Sequence, residues 1–357
     1  MQYIAIFASG TGGHVYPAYA MAMRYIDKGY KILWIGTDNG LENRVIKDSN
    51  IIIKGIRSSG VRGKSRYQQI KSVFNLFIST IQAFLILSKF KPSLALGFGG
   101  YVSVGPSICS FILQIPLTIH EQNSIAGTAN RINYYLAKKV YETYPSCFNK
   151  YSDKIYHTGN PTRNIFKNIS KPEDKYSSNK SIINVLVMGG SQGALFLNNT
   201  MPFAFSHFHV DNIFIKHIAG KDKTALIQDK YKSYGIKSEV IDYSNNIDEL
   251  YDWSDLIIGR AGSTSISEIS KIGRALVLVP FKYATDNHQL YNAKYLADNS
   301  AAILLEEKDD FIENFITIVN ILLNDQKRMY ALSKNIQSIF PNDAENIILN
   351  HSMDYIK

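Results

Sequence analysis

The feature that most constrains this chain is a pattern it uses twice. Tyr3–Phe7 (YIAIF) is a short apolar run that breaks into ASGTGGH and then into a helical pattern from Pro17 to Tyr25. Ile182–Met188 (IINVLVM) runs into GGSQGA and again into a helical segment. An apolar run that ends in glycines and leads into a helix is the opening unit of a parallel sheet covered by helices. Each half continues the alternation. Lys31–Ile35, Ile51–Lys54, Leu94–Leu96 and Pro116–Ile119 follow in the first half; Phe214–Ala219, Ser238–Ile241, Leu256–Ile258 and Ala275–Val279 follow in the second. The expected fold class is α/β, with two doubly wound parallel-sheet domains.

Length agrees, because 357 residues with 45% hydrophobic residues are too many for one typical core. The expected boundaries are a first domain over 1–163, a linker over 164–181, a second domain over 182–340 and a C-terminal helix over 341–357. The linker is polar and carries Pro172; the tail breaks near Pro341 and is expected to pack back on the first domain.

The formal net charge of +9 favours anionic partners: nucleic acid, phosphate-rich ligands or an acidic membrane surface. The sign alone does not choose among them, and the abundance of Ile, Asn, Lys and Tyr suits a base-composition bias that makes part of the charge incidental. Cys109 and Cys147 have no metal-ligand spacing and make no disulfide framework, which fits a reducing compartment. The opening MQYIAIFASG lacks the basic start of a signal peptide, and no stretch reaches the roughly 20 apolar residues of a spanning helix.

Three glycine loops stand at the ends of expected strands: Ser9-Gly10-Thr11-Gly12-Gly13-His14, Gly97-Phe98-Gly99-Gly100-Tyr101 and Gly189-Gly190-Ser191-Gln192-Gly193-Ala194. Glycine lets the backbone approach a ligand, and the helix that follows offers N–H groups to an anion. A single glycine loop is weak evidence and has a tight turn as its ordinary reading, though three glycines with an adjacent His weigh against that reading for the first. The first is not a dinucleotide fingerprint, because Val15 stands where GxGxxG needs glycine, and no GxxxxGK[ST] occurs. In open α/β sheets ligands sit beyond the carboxyl ends of the strands, so three such loops point to a phosphate-bearing ligand.

Gly262-Ser263-Thr264-Ser265 leads to Glu268 on the next helix, where a carboxylate suits two ribose hydroxyls and equally a first-turn charge. His120-Glu121-Gln122-Asn123 and Asp286-Asn287-His288-Gln289 are dense polar sets at strand ends. No Asp-x-Asp and no HExxH occurs, so a metal clamp has no candidate. Helix N-termini and backbone N–H groups are then the expected source of positive charge for a diphosphate.

Between Ile70 and Phe90, Ile70, Val73, Phe74, Phe77, Ile78, Ile81, Phe84 and Leu85 follow helical spacing, with Lys71, Asn75, Ser79 and Gln82 on the other face. On this pattern alone a helix packed on the sheet is the better reading. The alternative is a membrane-surface contact rimmed by Lys64, Arg66, Lys71, Lys138 and Lys139.

Taken together, GTGGHVYPA, GGYVSVGP, HEQNSIAGTANR, GNPTR, GGSQGA, GSTSISEI and DNHQ, in this order over residues 1 to about 340, resemble the MurG family of bacterial glycosyltransferases, within glycosyltransferase family 28. The resemblance implies a GT-B fold of two Rossmann-like domains facing across a cleft. It implies an inverting transfer of GlcNAc from UDP-GlcNAc to the C4 hydroxyl of MurNAc in lipid I, forming lipid II for peptidoglycan. It implies donor contacts at Thr11, Gly12, Gly13, Asn123, Arg163, Ser191, Ser244, Ser263, Thr264, Ser265, Ile266, Ser267, Glu268 and Gln289, with Glu268 on the ribose. Gly12, Gly13, Gly100 and Tyr101 fall to the acceptor and its diphosphate. His14 is the candidate general base, since a neutral imidazole takes a proton near pH 7.

The same resemblance implies no cofactor and no metal, no nucleic-acid partner, and a peripheral position on the cytoplasmic face of the cell membrane. It turns the 70–90 segment toward the membrane reading, with Phe74, Phe77, Ile78, Ile81 and Phe111 as contacts on an anionic surface and cell-wall or division proteins as candidate partners. One departure is Ser263, where the family leads one to expect Ala; the stretch Ser263–Ile266 is also richer in hydroxyls than usual. Three competing readings are a UDP-GlcNAc 2-epimerase-like isomerase, a diacylglycerol glycosyltransferase and a non-catalytic nucleotide-binding protein. HEQN with GNPTR argues against the first, the first-half motifs against the second, and His14, Glu268 and Gln289 against the third.

Overall fold

The computed structural model describes residues 2–58, 66–166, 169–177, 180–190 and 193–356, the side chains of 66–73 and of residue 210 excepted. The chain forms two compact units, Met1–Arg163 with Pro341–Lys357, and Asn164–Phe340.

The first unit is built on a seven-stranded sheet: β1 (Tyr3–Phe7), β2 (Lys31–Gly36), β3 (Ile51–Gly55), β4 (Leu94–Gly97), β5 (Leu117–Glu121), β6 (Lys139–Glu142) and β7 (Ile155–His157). Its order is β3-β2-β1-β4-β5-β6-β7, and every pair is parallel. β1 shows why the strands read as unbroken apolar runs. Ile4 and Ile6 face one core with Val15, Met21 and Tyr25, while Ala5 and Phe7 face a second with Ala83, Leu87 and Cys109. A parallel strand covered on both faces has no side on which to place polar residues.

The second unit carries six parallel strands: β8 (Ile183–Met188), β9 (Ile213–Ile218), β10 (Ser238–Ile241), β11 (Leu256–Gly259), β12 (Ala275–Leu278) and β13 (Ile303–Leu304). Their order is β10-β9-β8-β11-β12-β13. In both sheets the order reverses beside the first strand, between β1 and β4 and between β8 and β11, and these are the switch points where such sheets open a crevice. The sequence reading did not single out β6, β7 or β13, which are two to four residues long.

Three segments differ from the sequence reading. The first helix runs Gly12–Asp27, so Gly12, Gly13 and His14 are its first turn and not a loop ahead of Pro17.

The polar stretch read as a linker is anchored in the second unit. Pro172–Lys175 forms a helical turn. Ser170 donates from N and Oγ to Asp252 Oδ1, at 2.8 and 2.5 Å, and the fully buried Arg274 donates to Ser170 O and Asp252 Oδ1, both at 3.0 Å. A buried guanidinium left without these acceptors is costly, so the segment stays attached.

On the helix Arg66–Phe90, Ala83 and Leu87 are buried in the core, but much of the apolar stripe between residues 74 and 85 faces outward rather than onto the sheet. Phe77 and Leu85 are each 64% exposed, Phe74 and Ile81 are exposed, and Ser79 is 1% exposed with its hydroxyl on Leu76 O. This helix packs closely on the helix Val104–Ile112. A β-carbon on Gly105 would stand 3.3 Å from Thr80 Cα, and the Cys109 thiol donates to Thr80 O at 3.1 Å. At this seam the backbones come close enough that Gly105 and Thr80 face each other, and the large side chains of Phe74, Phe77, Ile81 and Leu85 lie on the outward side of the helix.

The last helix, Ala344–Met353, lies on the first. Ile348 and Leu349 join its core, and Tyr25 and Ser352 share a hydroxyl contact of 2.5 Å.

Candidate functional site

In the first unit the ends of β1, β4 and β5 converge. The β1 loop and the β4 loop touch: a β-carbon on Gly100 would stand 3.5 Å from Ser9 O. Gly99 and Gly100 have φ of +87° and +73°, which an L side chain rarely adopts, so these glycines are required by the turn. The ring of His14 lies against Gly99, with Nε2 3.4 Å from where a β-carbon would be, and Asn130 Nδ2 lies 3.2 Å from the same point. Thr11 precedes the helix and is exposed, Gly12 and Gly13 are half-buried in its first turn, and Tyr101 is exposed at the mouth of the β4 loop.

Glu121, 2% exposed at the end of β5, organises the other wall. Its Oε1 accepts from Asn123 N at 3.0 Å and Asn123 Nδ2 at 3.3 Å. Its Oε2 accepts from Gly127 N at 3.0 Å and Asn130 Nδ2 at 2.9 Å. One carboxylate thereby ties residues 121–130 into a fixed loop and holds Asn130 beside His14, with Asn123 on the same loop. His120 is buried behind it, its Nε2 2.9 Å from Gly159 O, and burial lowers its pKa to about 4. With Gly159 O as an acceptor, that nitrogen carries the proton.

Arg163 stands at the end of the GNPTR segment with its guanidinium over the Tyr16 ring, 4.5 Å from the centroid. The preceding Thr162 donates from N and Oγ1 to Glu345 Oε1, at 2.7 and 3.0 Å, so the last helix fixes the turn that carries Arg163.

The second unit presents the remaining candidates at the carboxyl ends of its own strands. Gly190 and Gly193 beyond β8 have φ of +81° and +72°. Ser191 lies outside the described residues. After β11 the helix Ser263–Ile272 begins at Ser263, with Gly262 as its cap. Thr264 and Ser265 are half-buried in its first turn, and Ile266 and Ser267 face inward, the Ser267 hydroxyl donating to Ser263 O at 2.8 Å. Glu268 is 3% exposed and sits in the second turn, which removes the reading of it as a first-turn surface charge.

Gln289, in the first turn of the helix His288–Asp298, accepts from Phe281 N at 3.0 Å. Asn292 of that helix donates to Ala261 O at 3.1 Å and ties it to the loop ahead of Ser263. Ser244 follows β10, its Oγ accepting from Asn246 N at 3.1 Å. His14, Gly100, Tyr101, Asn123 and Arg163 thus belong to the first unit, and Ser244, Ser263 to Glu268 and Gln289 to the second.

Away from these loops, Phe74, Phe77, Ile81, Phe84, Leu85, Phe111 and Ile112 are exposed on two helices that pack together; Ile78 is half-buried. Lys138 is exposed and Lys139 half-buried. Lys64 lies outside the described residues, as do the side chains of Arg66 and Lys71. No helix among the described residues is long and apolar enough to cross a membrane. Among them no cluster of three His, Cys, Asp or Glu side chains is placed to hold a metal ion.

Sequence reasoning singled out the surface of these loops and missed what holds them. Glu121 lay in a motif it had noted, without a role. Tyr16, Asn130 and Glu345 carried no separate signal.

Comparison with known proteins supplies a family. The glycosyltransferase family 28 N-terminal domain matches residues 4–142, and the family 28 C-terminal domain matches residues 184–347. The UDP-N-acetylglucosamine–N-acetylmuramyl-(pentapeptide) pyrophosphoryl-undecaprenol N-acetylglucosamine transferase of Pseudomonas savastanoi pv. phaseolicola is 34% identical over 351 residues, 97% of either chain. The enzyme of the same name from Haemophilus ducreyi is 36% identical over 92% of either chain. The crystal structure of Acinetobacter baumannii MurG superposes with a TM-score of 0.85 at 30% identity, covering 99% of this chain and 100% of that one.

Proposed function

The chain belongs to glycosyltransferase family 28 as an N-acetylglucosaminyltransferase of peptidoglycan synthesis, and we propose that it moves GlcNAc from UDP-GlcNAc to the C4 hydroxyl of MurNAc in lipid I with inversion at the anomeric carbon. The observation that carries the mechanism is the placement of His14. It stands at the β1/β4 switch point, against Gly99 and beside Asn130. In this reading His14 takes the proton from the acceptor hydroxyl as its oxygen attacks C1 of GlcNAc. The new C1–O bond forms as the bond from C1 to the UDP oxygen breaks, and UDP leaves with that electron pair.

The second unit takes the donor. Glu268 receives the ribose hydroxyls, Ser191 and the helix N-terminus at Ser263 to Ser265 meet the diphosphate, Gln289 meets the sugar and Ser244 the uracil; Ile266 and Ser267, turned inward, back this turn and do not face the ligand. From the first unit, Thr11, Gly12, Gly13, Asn123 and Arg163 complete the donor contacts, and Gly12, Gly13, Gly100 and Tyr101 face the acceptor diphosphate. Charge developing on the leaving group is met by helix N-termini and backbone N–H groups without a metal. Lipid I is membrane-bound, and the exposed Phe74, Phe77, Ile81 and Phe111, together with the half-buried Ile78, support a peripheral contact with an anionic cytoplasmic membrane surface; of the basic rim, Lys139 is held by His351 O and Asp354 on the last helix and adds nothing to this reading.

The test is an assay with labelled UDP-GlcNAc and a lipid I analogue in the presence of EDTA. The expected product is the β-linked disaccharide lipid, formed only when acceptor is present. Turnover of UDP-GlcNAc alone into its 2-epimer, or loss of transfer on adding EDTA, contradicts the proposal.

A further inference from the structure

The sheet of the second unit buries a polar chain that the donor contacts do not use. His217, the fifth residue of β9, is fully buried. Its Nε2 lies 3.0 Å from Asn198 Oδ1 and its Nδ1 3.0 Å from Tyr231 OH, and Asn198 Nδ2 donates to Ala219 O at 2.8 Å. An amide oxygen only accepts, so His217 Nε2 carries the proton, its Nδ1 is bare and Tyr231 O–H donates to it. The hydrogen bonds therefore run one way, from Tyr231 through His217 and Asn198 to the carbonyl of Ala219. Burial keeps the imidazole neutral, with a pKa lowered to about 3.

The end of this chain is where the glycine turn after β8 rests. A β-carbon on Gly193 would stand 1.9 Å from Ala219 O, so the Gly193 backbone packs directly on that carbonyl. Gly193 N donates to Gly190 O at 3.0 Å, and a β-carbon on Gly189 would stand 2.2 Å from Ala194 N. The turn closes on itself and leans on one oxygen, and Asn198 sets the direction of that oxygen. We infer that His217 is a positioning residue for donor binding, acting through Asn198 and Ala219 on the turn that carries Gly193. The inference rests on the assignment of the GGSQGA segment to the donor diphosphate.

A purely structural role competes with it, because His217 pairs with Val187 in the sheet, the same core holds Leu197, Met201 and Ile227, and an apolar side chain of similar volume suits that setting. The two roles separate in kinetics. His217→Leu keeps bulk and removes the donor to Asn198; His217→Gln restores an N–H for Asn198; Tyr231→Phe leaves Nε2–H in place.

With the full-length chain, titration of UDP by calorimetry is expected to show about tenfold weaker binding for His217→Leu. KM for UDP-GlcNAc should rise by a similar factor while KM for the lipid I analogue stays constant. His217→Gln should recover most of the loss, and Tyr231→Phe should lie nearer wild type than His217→Leu. Wild-type affinity for UDP in folded His217→Leu, or equal rises in both KM values, overturns the inference. If His217→Leu does not fold, His217→Gln decides with Tyr231→Phe as its control: both should bind UDP near wild type, and the inference falls if folded His217→Gln binds UDP about tenfold more weakly than wild type or raises both KM values equally. Failure of the wild-type chain to bind UDP would instead remove the donor assignment on which the inference stands.

Discussion

The imidazole of His14 is seated on the bare α-carbon of Gly99: a β-carbon there would stand 3.4 Å from His14 Nε2 and 3.2 Å from Asn130 Nδ2. Gly99 holds φ of +87°, so the turn that makes room for the imidazole is one only glycine adopts without strain.

Gly99→Ala should therefore act through His14. The left-handed backbone costs about 1–2 kcal/mol, and the added methyl crowds Asn130 at 3.2 Å and comes into van der Waals contact with His14 at 3.4 Å, so the strain of the turn is what shifts the imidazole. The expected result is a drop in kcat of about tenfold or more at nearly unchanged KM for UDP-GlcNAc. Wild-type kcat in folded Gly99→Ala would separate His14 from the chemistry.

Glu268→Ala should raise KM for UDP-GlcNAc by about a hundredfold, as expected for loss of a charge-assisted bidentate contact, with a smaller change in kcat. His14→Ala should lower kcat by about 10²–10⁴ with UDP affinity preserved. Parallel steady-state kinetics and UDP titration check both. Equal loss of UDP affinity in the two variants would mean the halves are misassigned.

Glu121→Ala removes the acceptor of four hydrogen-bond donors, from Asn123, Gly127 and Asn130. The cost should be about 3 kcal/mol or more, read as a lower urea midpoint, because the loop donors lose a buried partner. Glu121→Gln keeps the shape but turns one acceptor into a donor facing donors, and should fall between. A midpoint shift of a few tenths of a molar would show that the loop holds without the carboxylate.

Phe77→Ser with Ile81→Ser should leave the thermal midpoint within a few degrees, since both side chains already face water. Binding to anionic vesicles in a sedimentation assay should fall several-fold. Unchanged co-sedimentation would show that this face does not meet the bilayer.

Stability should fall on acidification below about pH 6.5. The folded pKa values of His120 and His217 are lowered by burial to about 4 and about 3, against an ordinary 6.5. The unfolded chain then binds more protons than the folded one, and stability is lost as pH falls through 6.5 toward those values. Each histidine should contribute about 2 kcal/mol of loss between pH 7.5 and 5. Urea unfolding at the two pH values checks this, and His217→Leu should show about half the dependence that the pair causes.

What the sequence determined by itself is the architecture and the surface of the site. A strand covered on both faces is apolar along most of its length, and a loop that takes positive φ at its end favours glycine. YIAIF-ASGTGGH and INVLVM-GGSQGA therefore announce their strands and turns locally. The order of the motifs carried the family. What only the tertiary structure decided is support and orientation. Glu345 fixes Thr162 across 183 residues, and no local spacing announces such a partner. Ser79 is buried and Phe77 exposed on the helix that packs at Thr80 against Gly105, which inverts the rule that hydropathy alone suggests. His217 reads in sequence as one of two polar residues, with Lys216, in an otherwise apolar strand. Its meaning comes from Asn198 and Tyr231, which a helix on the same sheet face and the next helix bring to either side of its ring. Periodicity reports which face a residue is on, and only packing reports what that face meets.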